Sequence, residues 1–319
     1  MFFFQGRTST EYWSETGALN TVLAEEANSG IERIDGTIIM AGRPVAREIR
    51  QQCADEVQKL AARFRILPGL AVVRVGDDAP SVSYADRIIQ AFSAAGLSAN
   101  IVALPAHASR AMLQAELGRL NVLPEVAAIL VQMPLPPHIG LDAVIEVLDP
   151  HKDVDGIHPE NIGRLALGLE TYVPATPAGG LAMLDFYGIP LAKKQALVLG
   201  RSGVVGKPFA QLLLARDATV TIAHSQTQNL PDLISRADIV ATAVGKPGIV
   251  RVGMLKEGAS VLDFGAAMVD GVMTGDADYH ECIGHVHAIT PVPGGTGPVT
   301  NAMLLRNTIT AIKRYMHAT

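Results

Sequence analysis

Apolar residues recur at helical spacing from Val45 onward: Val45, Ile49, Cys53, Val57, Leu60 and Phe64, with charged residues between them. That spacing predicts an amphipathic helix over 44–65. The period then shortens. Leu70–Val75 reads as a strand closed by Gly76-Asp77-Asp78, and Ser81 or Ser83 is expected to cap a helix that runs to Ala95 and stops at Gly96. Leu97–Leu104 is a second strand. Ala108–Asn121 is a helix with Met112, Leu113, Leu117 and Leu120 inward. Val126–Val131 lacks alternation, as expected of a parallel strand covered on both faces. Helical segments follow at Leu141–Leu148 and Asn161–Leu169. Residues 1–30 have weak periodicity and read as an appendage with one short helix around Leu19–Glu26.

Pro174, Pro177 and Gly179-Gly180 mark a hinge, and 178–187 a linking helix. Ala196–Leu199 is a strand, followed by Gly200, Gly203 and Gly206 and an apolar helix from Phe209 to Ala215. Strands are expected at Ala218–Ala223, Asp238–Ala243 and Ser260–Asp263, with a short helix at Leu233–Ala237 and a turn at Gly275–Asp278. Ala288-Ile289-Thr290 leads into a rigid run, Pro291-Val292-Pro293-Gly294-Gly295-Thr296-Gly297-Pro298, suited to wrapping backbone around a flat ligand. Val299–Met316 is a closing helix expected to pack back on the first domain. Strands alternating with helices imply an α/β class with parallel sheets, the Gly200 stretch opening a nucleotide-binding domain.

The 319 residues suffice for two domains of ordinary size, and 49% apolar against 18% charged residues implies sizeable cores. A formal net charge of -5 without a basic stripe argues against nucleic acid. Phe2-Phe3-Phe4 is too short for a signal sequence, Glu11 and Glu15 argue against targeting, and no apolar run reaches membrane-spanning length. Cys53 and Cys282 have no metal-type spacing, so a reducing, cytoplasmic setting and no membrane are expected.

The Gly200–Gly206 turn between strand and helix is a dinucleotide signature, spaced G-x-x-G-x-x-G. Its glycines let backbone approach a pyrophosphate at a helix start. The next strand ends at His224-Ser225 with no carboxylate, and Arg201 lies in the Gly turn, which favours a 2′-phosphate and hence NADP, with NAD the alternative. Ligands of open α/β sheets sit beyond the strands' carboxyl ends. Gln132 and the Asp153–Asp155 loop are therefore the polar groups to watch. His151, His158, Asp153 and Asp155 match no common metal spacing, so no metal is expected.

Together PGLAVVRVG (68–76), SYADR (83–87), ILVQMPLP (129–136), DPHKDVDGIHPENIGRL (149–165), TPAGG (176–180), GRSGVVGKP (200–208), AVGKPG (243–248) and TPVPGGTGPVT (290–300) resemble the methylenetetrahydrofolate dehydrogenase/cyclohydrolase family from about residue 38 to the end. The resemblance implies two doubly wound parallel-sheet domains facing a cleft, the C-terminal one Rossmann-like: an extension over 1–37, a folate-binding catalytic domain over 38–175 completed by helix 299–319, and a nucleotide-binding domain over 176–298. It implies a homodimer acting on tetrahydrofolate one-carbon derivatives, in one-carbon metabolism and purine biosynthesis. It implies hydride transfer from 5,10-methylenetetrahydrofolate to NADP, then hydrolysis of the methenyl product to 10-formyltetrahydrofolate. By resemblance Tyr84 stacks on the pterin side, Asp155 bonds the pterin's polar edge and Gln132 positions the reacting ring. Pro293, Gly294 and Gly295 line the folate pocket. Gly200, Arg201, Ser202, Val205, Gly206, His224, Ser225, Val244, Gly245, Gly265 and Ala266 meet the cofactor.

Two departures stand out. The family's catalytic lysine, one helical turn after the tyrosine, corresponds to Ile88. Arg87 is a residue out of phase and a poor proton donor. An isoleucine moves no proton, and losing a positioned acid or base costs about 10²–10⁴-fold. The expectation is thus a dehydrogenase with weak or absent cyclohydrolase activity. The alternatives are a fully bifunctional enzyme and a catalytically silent folate-binding paralogue or an enzyme for a modified one-carbon substrate. Second, Asp263-Phe264-Gly265-Ala266-Ala267-Met268 stands where the family has a DVGIN-like run, so Phe264 and Ala267 are expected to alter the cofactor side.

Overall fold

The computed structural model describes residues 31–318; the helix expected at Leu19–Glu26 lies outside them. In chain order the elements are β1 (Arg33–Ile34), β2 (Thr37–Ile39), α1 (Gly42–Arg63), β3 (Gly69–Val75), α2 (Ala79–Ala94), β4 (Ala99–Leu104), α3 (Arg110–Val122), β5 (Val126–Val131), α4 (Asp142–Ile145), α5 (Pro159–Ala166) and α6 (Ala175–Phe186). Then come β6 (Gln195–Leu199), α7 (Gly206–Leu214), β7 (Thr219–Ala223), α8 (Leu230–Arg236), β8 (Ile239–Thr242), β9 (Ser260–Asp263), β10 (Ala267–Val269), β11 (Val272–Thr274), α9 (Tyr279–Cys282), β12 (Ala288–Ile289) and α10 (Thr296–Ala318).

The described chain divides into two compact α/β units. One holds residues 31–46, 164–170 and 176–300, the other 47–163, 171–175 and 301–318. The first unit is built on a sheet ordered β1-β2-β12-β9-β8-β6-β7, parallel throughout except for the β1–β2 pair. Numbered from β6, its nucleotide half runs 2-1-3-4-5, a doubly wound order whose switch point falls between β6 and β8. Residues 37–39, which straddle the expected boundary at 37/38, form a buried strand of this sheet. Thr37 holds it there, its hydroxyl donating to the Val286 carbonyl at 2.8 Å.

The second unit is built on the parallel sheet β4-β3-β5. All six residues of β5 are buried, which explains their lack of alternation. Ile88, Phe92, Leu113, Leu117, Leu120 and Ile129 are among the largest fully buried side chains. Each contributes about 1.5–3 kcal/mol by leaving water.

Three local expectations are corrected. Asp78 caps α2, accepting from the Ser81 backbone N–H at 3.1 Å, with Pro80 just behind; neither serine does so. Carboxylate and hydroxyl serve equally at that position, and Pro80's fixed φ settles the helix start one turn early. Met112 faces outward, 46% exposed, while Leu113, Leu117 and Leu120 carry the apolar face of α3. The linking helix begins at Ala175, before Pro177, because proline is tolerated in a first turn.

Candidate active site

In the first unit the Gly turn leaves β6 at the switch point. Gly200 has φ +115°, its N–H donates to the Ala223 carbonyl at 2.9 Å, and a Cβ there would meet the Ala243 oxygen at 2.6 Å. A Cβ on Gly206 would lie 2.2 Å from the Gly200 oxygen. Gly203 faces open space, so only the outer two glycines are sterically required. The Ser202 hydroxyl accepts from Val205 and Gly206 N–H at 3.2 and 3.3 Å and holds the start of α7. Arg201 is exposed and Val205 half-buried.

Beyond β7, His224 is half-buried and Ser225 exposed. The Gln226 N–H donates to His224 Nδ1 at 3.2 Å, leaving Nε2 to carry the ring proton. Beyond β8, Val244 and Gly245 form a loop fixed from below by Asp276, which the sequence reading took for part of a turn. Asp276 is fully buried and accepts from Thr242 Oγ1 and Val244 N–H, both at 2.8 Å, and from Lys246 N–H at 2.5 Å. Asp263 accepts from Gly265 and Ala277 N–H at 2.7 and 2.8 Å. Burial pushes its carboxyl up to about 6 despite those bonds, with the Asp276 charge adding to the rise. A Cβ on Gly265 would strike Asp276 at 2.4 Å. Ala266 is exposed. This cradle of close backbone, open N–H groups and a helix start fits a dinucleotide.

Phe264 does not crowd that loop. Its ring packs edge-on to Phe209, centroids 5.0 Å apart, and a Cβ on Gly180 would meet it at 2.4 Å. The bulk is taken up in packing against α6 and α7. Pro293, Gly294 and Gly295 lie in this same unit. Pro293 is exposed, Gly294 has φ +107°, and its carbonyl accepts from Gly42 N–H at 2.8 Å.

In the second unit the structure brings Tyr84, Gln132 and Asp155 together around α2 and β5. Gln132, only 6% exposed, directly follows β5, and its Nε2 donates to the Ser81 carbonyl at 3.1 Å, one turn before Tyr84. Burial raises the Tyr84 phenol well above its usual range, and the Asp155 charge adds to it. Asp155 itself is half-buried, and accepts weakly from Ala175 N–H at 3.4 Å. Burial, and then the neighbouring Asp153 charge, push its carboxyl up to about 7.

The loop carrying Asp155 is clamped on both sides. Buried Asp153 accepts from His158 N–H at 2.8 Å and Asn161 Nδ2 at 2.9 Å. Asn307 of α10 donates to the Val154 and Val173 carbonyls, both at 2.8 Å. Lys152 donates to the Leu120 and Leu123 carbonyls, both at 3.2 Å, and so ties down the end of α3. Ile88, one turn beyond Tyr84, is 1% exposed, and Arg87 is exposed. Sequence reasoning missed Asp276, Asn307 and Arg74. For Arg74 the signal was a lone charge inside the apolar run Leu70–Val75.

Residues 40–155 match the catalytic domain of tetrahydrofolate dehydrogenase/cyclohydrolase, and residues 174–316 its NAD(P)-binding domain. The chain belongs to that family. It is similar to the bifunctional protein FolD of Herpetosiphon aurantiacus, 48% identical over 275 residues that span 86% of this chain and 96% of the relative. A bifunctional protein FolD 2 of Sinorhizobium medicae is 46% identical over 290 residues, 89% and 97% of the two chains. The crystal structure of the bifunctional FolD of Campylobacter jejuni superposes with a TM-score of 0.84 at 37% identity, covering 86% of this chain and 98% of that one. The Trypanosoma brucei dehydrogenase-cyclohydrolase, complexed with NADP and an inhibitor, gives 0.84 at 37% identity over 88% and 98%.

These relatives overturn the expectation of a weak or absent cyclohydrolase step, since they are described as bifunctional. The physical flaw lay in resting a whole activity on one side chain. Ile88 is a buried packing residue, while Tyr84, Gln132 and Asp155 are all present in the same unit. Among the described residues no helix is long and apolar enough to cross a membrane.

Proposed function

We propose that this chain carries out both family reactions: NADP-dependent oxidation of 5,10-methylenetetrahydrofolate, and hydrolysis of the methenyl product to 10-formyltetrahydrofolate. The observation that carries the reading is the Tyr84–Gln132–Asp155 cluster, a ring, an amide and a carboxylate of raised pKa in one unit. Residues 38–175 with the C-terminal helix would bind folate, and 176–298 the nucleotide. Asp155 accepts N–H bonds from the pterin edge, Tyr84 stacks on its rings and Gln132 orients the reacting ring. Pro293, Gly294 and Gly295 are proposed as further folate-binding residues.

When bound, NADP supplies the hydride acceptor. Gly200, Arg201, Ser202, Val205 and Gly206 would hold its phosphates, with His224 and Ser225 toward the ribose and Val244, Gly245, Gly265 and Ala266 lining the remainder. The lack of a carboxylate after β7 supports NADP over NAD. Ile88 stands at the family's lysine position, so water attack is served by the other polar groups. A homodimer is proposed as well: the β10–β11 hairpin exposes Met268, Val269, Val272 and Met273, an apolar surface suited to a second copy.

Separate assays of the purified protein test this reading. Nicotinamide reduction with methylenetetrahydrofolate, and loss of methenyltetrahydrofolate faster than in buffer, are both expected. Absence of either signal contradicts it.

A further inference from the structure

Arg74 is the only charged residue of β3. Its Nε and Nη1 are buried and have no hydrogen-bond partner. Arg74 as a whole is half-buried, but buried donors left unpaired are costly, so such groups are kept where something else completes them. Beside it is a second incomplete group. Gln132 spends its Nε2 on Ser81, and its Oε1 is buried without a partner.

The two belong together by sheet register. β3 and β5 are parallel and pair through Val73 and Val131, and Gln132 N–H donates to the Val73 carbonyl at 2.9 Å. One step further sets Arg74 beside Gln132, and in-register residues of parallel neighbours share a face of the sheet. That face is the one over which α2 begins, because Gln132 reaches Ser81 there. Asp78, the α2 cap, does not pair with Arg74. Its carboxyl is held low chiefly by the Ser81 bonds, with a smaller pull from the Arg74 charge. The helix presents buried Ala85 and Ile88, which offer no acceptor.

We propose that Arg74 is a catalytic residue of the hydrolytic step, donating through Nε and Nη1 to the oxygen that water contributes. This rests on the bifunctional reading above. In that step the water oxygen bonds the carbon bridging N5 and N10, and one water proton leaves to solvent, giving a neutral adduct. The carbon–N5 bond then breaks with its electron pair going to N5. The hydroxyl proton ends on N5 as the carbon–oxygen double bond forms. No electrons are gained or lost overall. The substrate of this step is a cation, and its charge disappears as the new oxygen, the first strong acceptor at the reacting carbon, takes shape. A fixed guanidinium raises the cationic start and stabilises the oxygen as it polarises. Hydride removal runs the other way, creating that cation. Arg74 therefore assists hydrolysis and opposes oxidation.

The opposite signs give the test. Arg74→Met and Arg74→Gln are to be assayed for both reactions beside the unaltered protein, with melting temperature followed in parallel. The ratio of hydrolysis kcat to dehydrogenase kcat should fall about 10²–10³-fold, the cost of one oxyanion donor. The fall should lie in kcat and not in the KM for methenyltetrahydrofolate, and melting temperature should not drop, because the lost donors had no protein partner. Arg74→Lys, keeping a point charge, should recover part of the ratio. An unchanged ratio overturns the proposal. So does an equal fall in both activities accompanied by a lower melting temperature, which marks a structural arginine. A rise in KM alone marks a binding role and overturns it too. Hydrolysis absent from the unaltered protein would sink the bifunctional reading itself.

Discussion

The unit built on the seven-stranded sheet offers backbone where the unit built on the three-stranded sheet offers side chains. At the β6–β8 switch point, Gly200 and Gly206 let backbone approach closely, and in the proposed function that backbone meets the cofactor. Among its described residues the buried carboxylates Asp263 and Asp276 are spent on loop amides. In the other unit the polar groups are left incomplete: Gln132 Oε1, Arg74 Nε and Nη1, and the weakly bonded Asp155. A satisfied network positions, whereas an unsatisfied one waits for a ligand. The difference teaches where substitutions should matter by shape and where by charge.

The largest effect tests shape. Gly206→Val drives side-chain carbon into the Gly200 carbonyl and should abolish NADP binding in a fluorescence titration, whereas Gly203→Ala, in open space, should leave it intact. Equal tolerance at both would break the backbone account.

Charge is tested next at Asp155. Asp155→Ala should weaken folate binding by about 2–5 kcal/mol, as for truncating one partner of a desolvated charge-assisted pair, and leave the Kd for NADP unchanged. Loss of cofactor affinity in this variant would blur the two units.

Asp276→Ala should cost about 1–3 kcal/mol, the penalty of stranding buried donors, read as a raised KM for NADP with the KM for folate held.

The smallest effect is a pH dependence. In the proposed role ionised Asp155 accepts its bonds from folate N–H groups, and the ionised fraction grows as pH rises through about 7. The KM for folate should therefore fall from pH 6 to pH 8, by about tenfold at most. Asp155→Asn should flatten the profile, and a KM that rises with pH would contradict the assignment.

The comparison also explains what could be read from the sequence. The Gly turn was legible because steric need writes itself into local spacing, although Gly203 shows that spacing overstates it. Strands β3 and β5 were legible from unbroken apolar runs. The α2 cap was misplaced because Asp78, Ser81 and Ser83 are equivalent candidates until the helix start is known. Strand β2 was missed because its partner, β12, lies far along the chain. Arg74 was missed for the same kind of reason: its neighbour Gln132 is set by sheet register. Reading Ile88 as a missing function followed from seeing the helix without the sheet beneath it.

The most direct test of the whole account is product analysis in one vessel. Purified protein, methylenetetrahydrofolate and NADP are incubated, quenched without acid, and the folates separated over time. The account predicts 10-formyltetrahydrofolate formed in step with NADPH and no persistent methenyl compound. Methenyltetrahydrofolate accumulating with NADPH, and decaying only at the buffer rate, would contradict it.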